Sequence, residues 1–187
     1  MPRQKSNNIL LVGAYPPPYG GIASHLYDLS RSLSKLNYKI ITLRLSLQRN
    51  ETLESEGIKN IFVKQKIYII KNIISTIITI MMAIRLKKDL SFKQYVKAVC
   101  LSLIIYEITE RENVCAIFYY DIDNGFVIPI LKKHMNCSIP MSCMIFGAFY
   151  LEPDKYKKMS VFINDIFLNC DTILSSSKYC ANSIKRI

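Results

Sequence analysis

Apolar residues fall along this chain in short β-like runs that alternate with longer helical ones. The runs Ile9 to Gly13, Lys39 to Leu43, Ile61 to Val63, Cys115 to Tyr119, Pro140 to Ile145 and Thr172 to Ser175 have the length and the β-branched or aromatic content of strands. Between the first two, Ile22, Leu26, Leu29, Leu33 and Leu36 recur at spacings of four, three, four and three, which places them on one face of a helix. A second helical pattern runs from Phe92 to Glu110 and carries Val96, Val99 and Leu103. A third runs from about Asp154 to Asn169 behind Pro153, and a last starts at Ser177, a good helix cap, and reaches Ile187. Strands alternating with helices predict a mostly parallel sheet covered by helices on both faces. The expected fold is therefore α/β, a single Rossmann-like domain over 1–187, because the chain is too short for two doubly wound domains side by side.

The stretch from Ile67 to Leu86 is long, rich in isoleucine and bounded by Lys64, Lys66, Arg85, Lys87 and Lys88. Lys71, Asn72, Ser75, Thr76 and Thr79 interrupt it, and its charge-free part falls short of the roughly 20 apolar residues that span a bilayer. The pattern predicts a helix packed into the domain, or one resting in a membrane interface, rather than a span.

Half of the residues are hydrophobic and 21% are charged, a mixture that packs instead of staying disordered. The formal net charge of +11 attracts anions of several kinds: nucleic acid, acidic lipid headgroups and phosphorylated substrates. Many of the bases cluster between Lys64 and Lys97 around the apolar helix and do not alternate with aromatics as a base-stacking surface would. That distribution favours a membrane surface and argues against nucleic acid. Cys100, Cys115, Cys137, Cys143, Cys170 and Cys180 form no C-x-x-C pair, and four lie in or beside apolar runs, so buried reduced thiols are expected rather than a metal site or disulfides. The first residues lack the apolar core of a signal peptide, from which a cytoplasmic location is expected, peripheral on the inner face of the plasma membrane if the basic region touches lipid.

The segment Leu10-Leu11-Val12-Gly13-Ala14-Tyr15-Pro16-Pro17-Pro18-Tyr19-Gly20-Gly21-Ile22 joins a buried strand to the amphipathic helix through a stiff proline turn and two glycines. Prolines fix φ, and Gly20 and Gly21 have no Cβ, so a ligand can approach the backbone at a helix N-terminus. The N–H groups and positive dipole end there suit a phosphate or another anion. The glycine pair also reads as a plain strand-to-helix turn, since the dinucleotide fingerprint G-x-G-x-x-G is missing.

P-P-x-x-G-G-I-x-x-H followed by L-x-x-x-L resembles the opening of retaining GT-B glycosyltransferases of family four. Ile117-Phe118-Tyr119-Tyr120-Asp121 resembles that family's strand-end segment, Ile145-Phe146-Gly147-Ala148 its usual His-Gly turn, and Asp171-Thr172-Ile173-Leu174-Ser175-Ser176-Ser177 the strand leading to a serine-capped helix. The resemblance covers nearly the whole chain. It implies an N-terminal, acceptor-side domain whose glycine loop, Gly20, Gly21 and Ile22 here, reaches towards the donor diphosphate. It also implies that the nucleotide-sugar site belongs mainly to a C-terminal domain absent from these 187 residues, with no metal and no cofactor beyond the donor substrate.

By position, His25 matches a family histidine that can donate to donor or acceptor; it also reads as a histidine beside Ile22 and Leu29 on the core stripe. Phe146 and Gly147 match the turn that lines the sugar site. Phe146 departs from the common histidine and can neither donate nor titrate. Asp121 and Asp123 follow a strand at its C-terminal end, where open α/β sheets place ligands. Glu152 and Asp154 lie just past the matched turn, as contacts for an acceptor hydroxyl or as caps of the next helix. Ser177 is a cap or a ligand contact. The expected function is acceptor binding in the transfer of a hexose from a nucleotide sugar to a polysaccharide or lipid-linked acceptor. A non-catalytic partner subunit, or a fragment needing a separate donor-binding chain, is the first alternative; a nucleotide-binding oxidoreductase is the second.

Overall fold

A computed structural model describes residues 6–13, 20–46, 51–55, 57–82, 91–146, 160–178 and 181–182. Its strands are β1 (Asn8–Val12), β2 (Lys39–Ser46), β3 (Glu51–Ser55), β4 (Ile58–Lys64), β5 (Val114–Tyr120), β6 (Met141–Ile145) and β7 (Thr172–Ser175). They form one seven-stranded sheet in the order β3-β4-β2-β1-β5-β6-β7, parallel except where β3 pairs antiparallel with β4. The chain is thus a single Rossmann-like α/β domain.

Both faces of the central strands are covered, which is why β1 reads as an unbroken apolar run. Ile9 and Leu11 point to one face, where they meet Leu26, Ile40, Ile58 and Tyr120. Leu10 and Val12 point to the other and join the larger core with Val99, Ile105 and Ile117. The first face is closed by α1 (Gly21–Lys35), whose Leu26 is fully buried. Leu36, the last residue of the predicted stripe, sits at the C-cap instead and is exposed.

The second face is filled by α4 (Phe92–Glu112), which starts in a capping box between Ser91 and Gln94 and stops at Asn113 in the left-handed conformation. Buried positions surround most of its circumference, as expected of a helix wedged between sheet and neighbours. The remaining helices among the described residues are α2 (Gln65–Lys71), α3 (Ile73–Met82), α5 (Ile122–Gly125), α6 (Ile128–His134) and α7 (Ser160–Asn169). Neither α5 nor α6 is expected from the sequence. Each is shorter than two full turns, and the buried run Ile128 to Leu131 carries no helical period.

The predicted helix over 67–86 is divided at Asn72, whose N–H and side-chain amide both donate to the Tyr68 carbonyl, at 3.0 and 3.2 Å. Among the described residues no helix is long and apolar enough to cross a membrane. The start of the predicted third helix lies outside the described residues, as does most of the last. Cys100, Cys115, Cys137, Cys143 and Cys170 are all free. Burial pushes the thiols of Cys100 and Cys143 up, which keeps them inert. Cys180 lies outside the described residues.

One surface-edge carboxylate ties the end of α4 to the sheet. Glu112 accepts from Lys59 of β4 at 2.8 Å and from Arg111 at 2.9 Å, and its carbonyl accepts from the Asn8 amide. The Lys59 hydrogen bond, with a smaller part from Arg111, holds its carboxyl below the usual range. A depressed carboxyl stabilises the fold above the unfolded pKa and loses that contribution as pH falls through the folded one. Glu112→Gln is therefore expected to cost up to about 1 kcal/mol at neutral pH. The gap between variant and wild type should close on acidification through the carboxylate range; denaturant melts at several pH values check this, and a gap that persists in acid contradicts it.

Candidate functional site

Because six of the seven strands run parallel, their C-terminal ends share one edge of the sheet. The strand order reverses direction between β1 and β5, and such a switch point opens a crevice at that edge. Gly13 follows β1 there, Asp121 follows β5, Phe146 follows β6, and Ser177 lies two residues past β7.

Gly13 makes the crevice narrow. Its N–H donates to the Leu43 carbonyl at 3.1 Å, and a Cβ placed on it would stand 2.7 Å from the Tyr120 Cβ and 3.1 Å from a Leu26 methyl. Helix α1 then begins at Gly20, whose extended backbone (φ −164°, ψ 168°) any residue can adopt. A Cβ on Gly20 or Gly21 would meet nothing within 4 Å. Neither glycine is required by positive φ or by crowding among the described residues. The first turn of α1 carries no acidic residue and no side-chain cap, and the N–H groups of Gly21, Ile22 and Ala23 precede the first intrahelical bond, from Ser24 to the Gly20 carbonyl at 2.8 Å.

One turn into α1, exposed His25 meets two other rings. Its centroid lies 5.8 Å from that of Tyr120 and 5.9 Å from that of Phe146, edge-on to the latter, while Tyr120 and Phe146 stack at 5.9 Å. Ile22 is half-buried against the same cluster. Tyr120 is fully buried, its hydroxyl has no hydrogen-bond partner among the described residues, and burial raises its pKa, so it stays a neutral donor. A buried hydroxyl left without a partner costs about 1–3 kcal/mol, so its retention at this place is notable.

Asp121 adopts φ 73° and ψ 149°, a region that side chains rarely occupy and that costs about 1–3 kcal/mol to hold. It is fixed on every side: its N–H donates to Met144 at 3.0 Å, its carboxylate accepts from Ile122 at 2.8 Å, and its carbonyl accepts from Asn124 and Gly125. The carboxylate thus caps α5 at the crevice. Asp123 lies in α5. Ser177 is exposed and its carbonyl accepts from Ala181 at 3.0 Å, at the start of a helical turn. Gly147, Glu152 and Asp154 lie outside the described residues, as do Pro16, Pro17 and Pro18.

His25, Phe146 and the glycine pair, which the sequence singles out separately, thus converge on one edge. Gly13 and Tyr120 were not singled out, because a strand aromatic and a strand-end glycine look ordinary in sequence. Also unexpected is a small hollow of about 180 Å³ beside Gly13, lined by Arg44, Lys97 and Asn124. A larger hollow of about 400 Å³ opens at the opposite edge, among Tyr106, Glu110, Asn113 and Asn136, remote from these residues in the sheet.

No protein-family model matches the chain, and no curated protein matches it in sequence. Among solved structures, the sucrose-phosphate synthase of Thermosynechococcus elongatus superposes with a TM-score of 0.67 at 10% identity, covering 96% of this chain and 44% of its own. An α,α-trehalose-phosphate synthase (UDP-forming) from Burkholderia xenovorans, in complex with glucose-6-phosphate, gives 0.52 at 8% identity, covering 94% of this chain and 41% of its own. A Serratia marcescens short-chain dehydrogenase/reductase variant gives 0.40 at 8% identity, covering 91% of this chain and 95% of its own. The chain spans less than half the length of the two synthases. At these identities the likeness establishes the fold, a Rossmann-like domain consistent with one half of a GT-B architecture.

Proposed function

We propose that this chain is the acceptor-side domain of a glycosyltransferase that moves a hexose from a nucleotide sugar, with retention of configuration, to a polysaccharide or lipid-linked acceptor. The observation that carries the reading is the pair Gly20 and Gly21, bare backbone facing open space at the N-terminus of α1 beside the β1/β5 switch point. A helix start without acidic side chains favours an approaching anion, and a missing Cβ leaves room for one to reach the N–H groups. Fold likeness to two sugar-phosphate synthases is in keeping with it.

In this reading the amides of Gly20, Gly21 and Ile22 face the donor diphosphate, and electrostatic stabilisation of that leaving group is the main catalytic contribution. His25, packed against the rings of Tyr120 and Phe146, donates to donor or acceptor. Asp121 receives an acceptor hydroxyl at the strand end, while Phe146 and Gly147 border the sugar and Glu152 and Ser177 flank the acceptor. The nucleotide is held by a further domain or by a partner chain.

Calorimetric titration of the 187-residue chain with UDP-hexoses is expected to give no saturable binding, and hexose transfer is expected only when a donor-binding domain is supplied in cis or in trans. Micromolar donor affinity of the chain alone contradicts this division of labour. If a donor-binding half restores no transfer to any lipid-linked or oligosaccharide acceptor, the transferase reading fails.

A further inference from the structure

Helix α3 is packed the wrong way round for a protein surface in water. Thr76 and Thr79 turn inward, 3% and 7% exposed, while Ile74 is 72% and Met81 68% exposed. Ile73, Ile77 and Ile78 are each exposed by half or more, and Ile70, near the end of α2, is 74% exposed. Residues 73, 74, 77, 78 and 81 follow one another along a single face of α3, so the ridge on that helix is continuous.

The inward side is anchored. Ile80 packs on the main core, and its carbonyl accepts the Tyr95 hydroxyl of α4 at 2.5 Å. Thr79 returns its hydroxyl to the Ser75 carbonyl at 2.9 Å, whereas the buried Thr76 hydroxyl has no partner among the described residues. A simple rotation of α3 would satisfy water better by burying the isoleucines, yet the helix is held with threonine inside. Such a contiguous apolar ridge marks a docking surface.

Charge decides between occupants. From Lys64 to Lys97 the sequence holds eight lysines and arginines against one acid, Asp89, and no acid at all from Gln65 to Met82. Lys66 and Lys71, beside the ridge, are exposed. A second copy meeting this face would set like charges against each other, and nucleic acid has no use for a row of isoleucines. An anionic bilayer accepts both features, apolar side chains in the acyl boundary and lysines at the headgroups. We infer that the α3 ridge Ile73, Ile74, Ile77, Ile78 and Met81, with exposed Ile70 of α2 beside it in the chain, seats this protein on an anionic lipid surface, with α3 lying in the plane of the interface. This stands whether or not the chain transfers sugar.

Flotation of the full chain with phosphatidylcholine vesicles, with and without phosphatidylglycerol, tests it at low and high salt. The protein is expected to float with the anionic vesicles at low salt and to be released by salt. Ile74→Asp with Ile78→Asp should reduce the floated fraction about tenfold or more. Because both side chains already face water, this variant should melt with the wild type. Lys66→Glu with Lys71→Glu should weaken flotation on anionic vesicles similarly. Failure of the wild type to float overturns the inference, and so do isoleucine variants that float unchanged. A wild-type dimer in sedimentation equilibrium that the isoleucine substitutions dissociate would assign the ridge to self-association instead.

Discussion

Gly13→Ala is expected to destabilise the domain by about 1–3 kcal/mol, the usual cost of forcing an extra methyl group into a packed core. The added Cβ would lie 2.7 Å from the Cβ of Tyr120, closer than real Cβ contacts come. Leu26, the second neighbour at 3.1 Å, can swing a methyl aside, but the Tyr120 Cβ is joined directly to the backbone of β5. Relief therefore requires β1 and β5 to separate at the paired positions Val12 and Tyr119, in the middle of the sheet. In a domain of this size 1 kcal/mol corresponds to about 2–4 °C in Tm, so thermal melts read the effect easily. Gly13→Val should fall further still. A variant that melts with the wild type would mean that the strand ends are looser than these distances require.

Gly13 was legible in the sequence only as the end of an apolar run, and this is typical of what could and could not be read. Apolar strand runs announce themselves, so β1, β2, β5 and β6, and also the exposed edge strand β7, were expected close to where they lie. β4 was expected too short, over 61–63, because Lys59 and Asn60 interrupt its apolar pattern. In the fold Asn60 is buried and accepts from the Thr42 hydroxyl at 2.7 Å, a cross-strand pair that no single-strand pattern reveals. β3 was missed altogether: every one of its residues is exposed, two are glutamates, and only the turn at Gly57, with φ 74°, folds it back onto β4. Its pairing is a tertiary fact.

Orientation was harder to read than existence. An apolar helix over 67–86 was expected, and periodicity sees the same isoleucines whether they face the core or the outside. That α3 turns its threonines inward follows from the anchoring of Ile80 by α4, a contact between segments apart in sequence. At the candidate site the same limit applies. The strand-end segments and the glycine turn could be located because parallel strands bring their C-terminal ends together. The grouping of His25 with Tyr120 and Phe146 depends on which face of the sheet each side chain takes, and the unpartnered Tyr120 hydroxyl has no sequence signature.

Gly21→Asp is expected to separate stability from function in the direction opposite to Gly13→Ala. At Gly21 an added Cβ meets nothing within 4 Å among the described residues, and the residue opens α1, where glycine is a poor helix former. Loss of glycine from a helix and a carboxylate at the positive end of the helix dipole each stabilise by roughly 0.3–1 kcal/mol, so the melting temperature should hold or rise slightly. Function should move the other way, because the same carboxylate would occupy the place proposed for the donor diphosphate and repel it. The N–H groups remain, but the carboxylate opposes the charge they would stabilise; removing even one such preorganised donor costs about 10²–10³ in rate, and kcat/KM of the assembly containing this domain should fall about that far. Gly21→Ala separates bulk from charge: it should share the gain in stability and lose less activity. A glycine kept only for the turn would give another pattern, with transfer close to wild type in Gly21→Asp or a fall in Tm in both variants, and either result would remove Gly20 and Gly21 from the site. The two glycine experiments thus divide the crevice into a wall that the fold requires, at Gly13, and a bare helix end for which the described residues supply no structural reason.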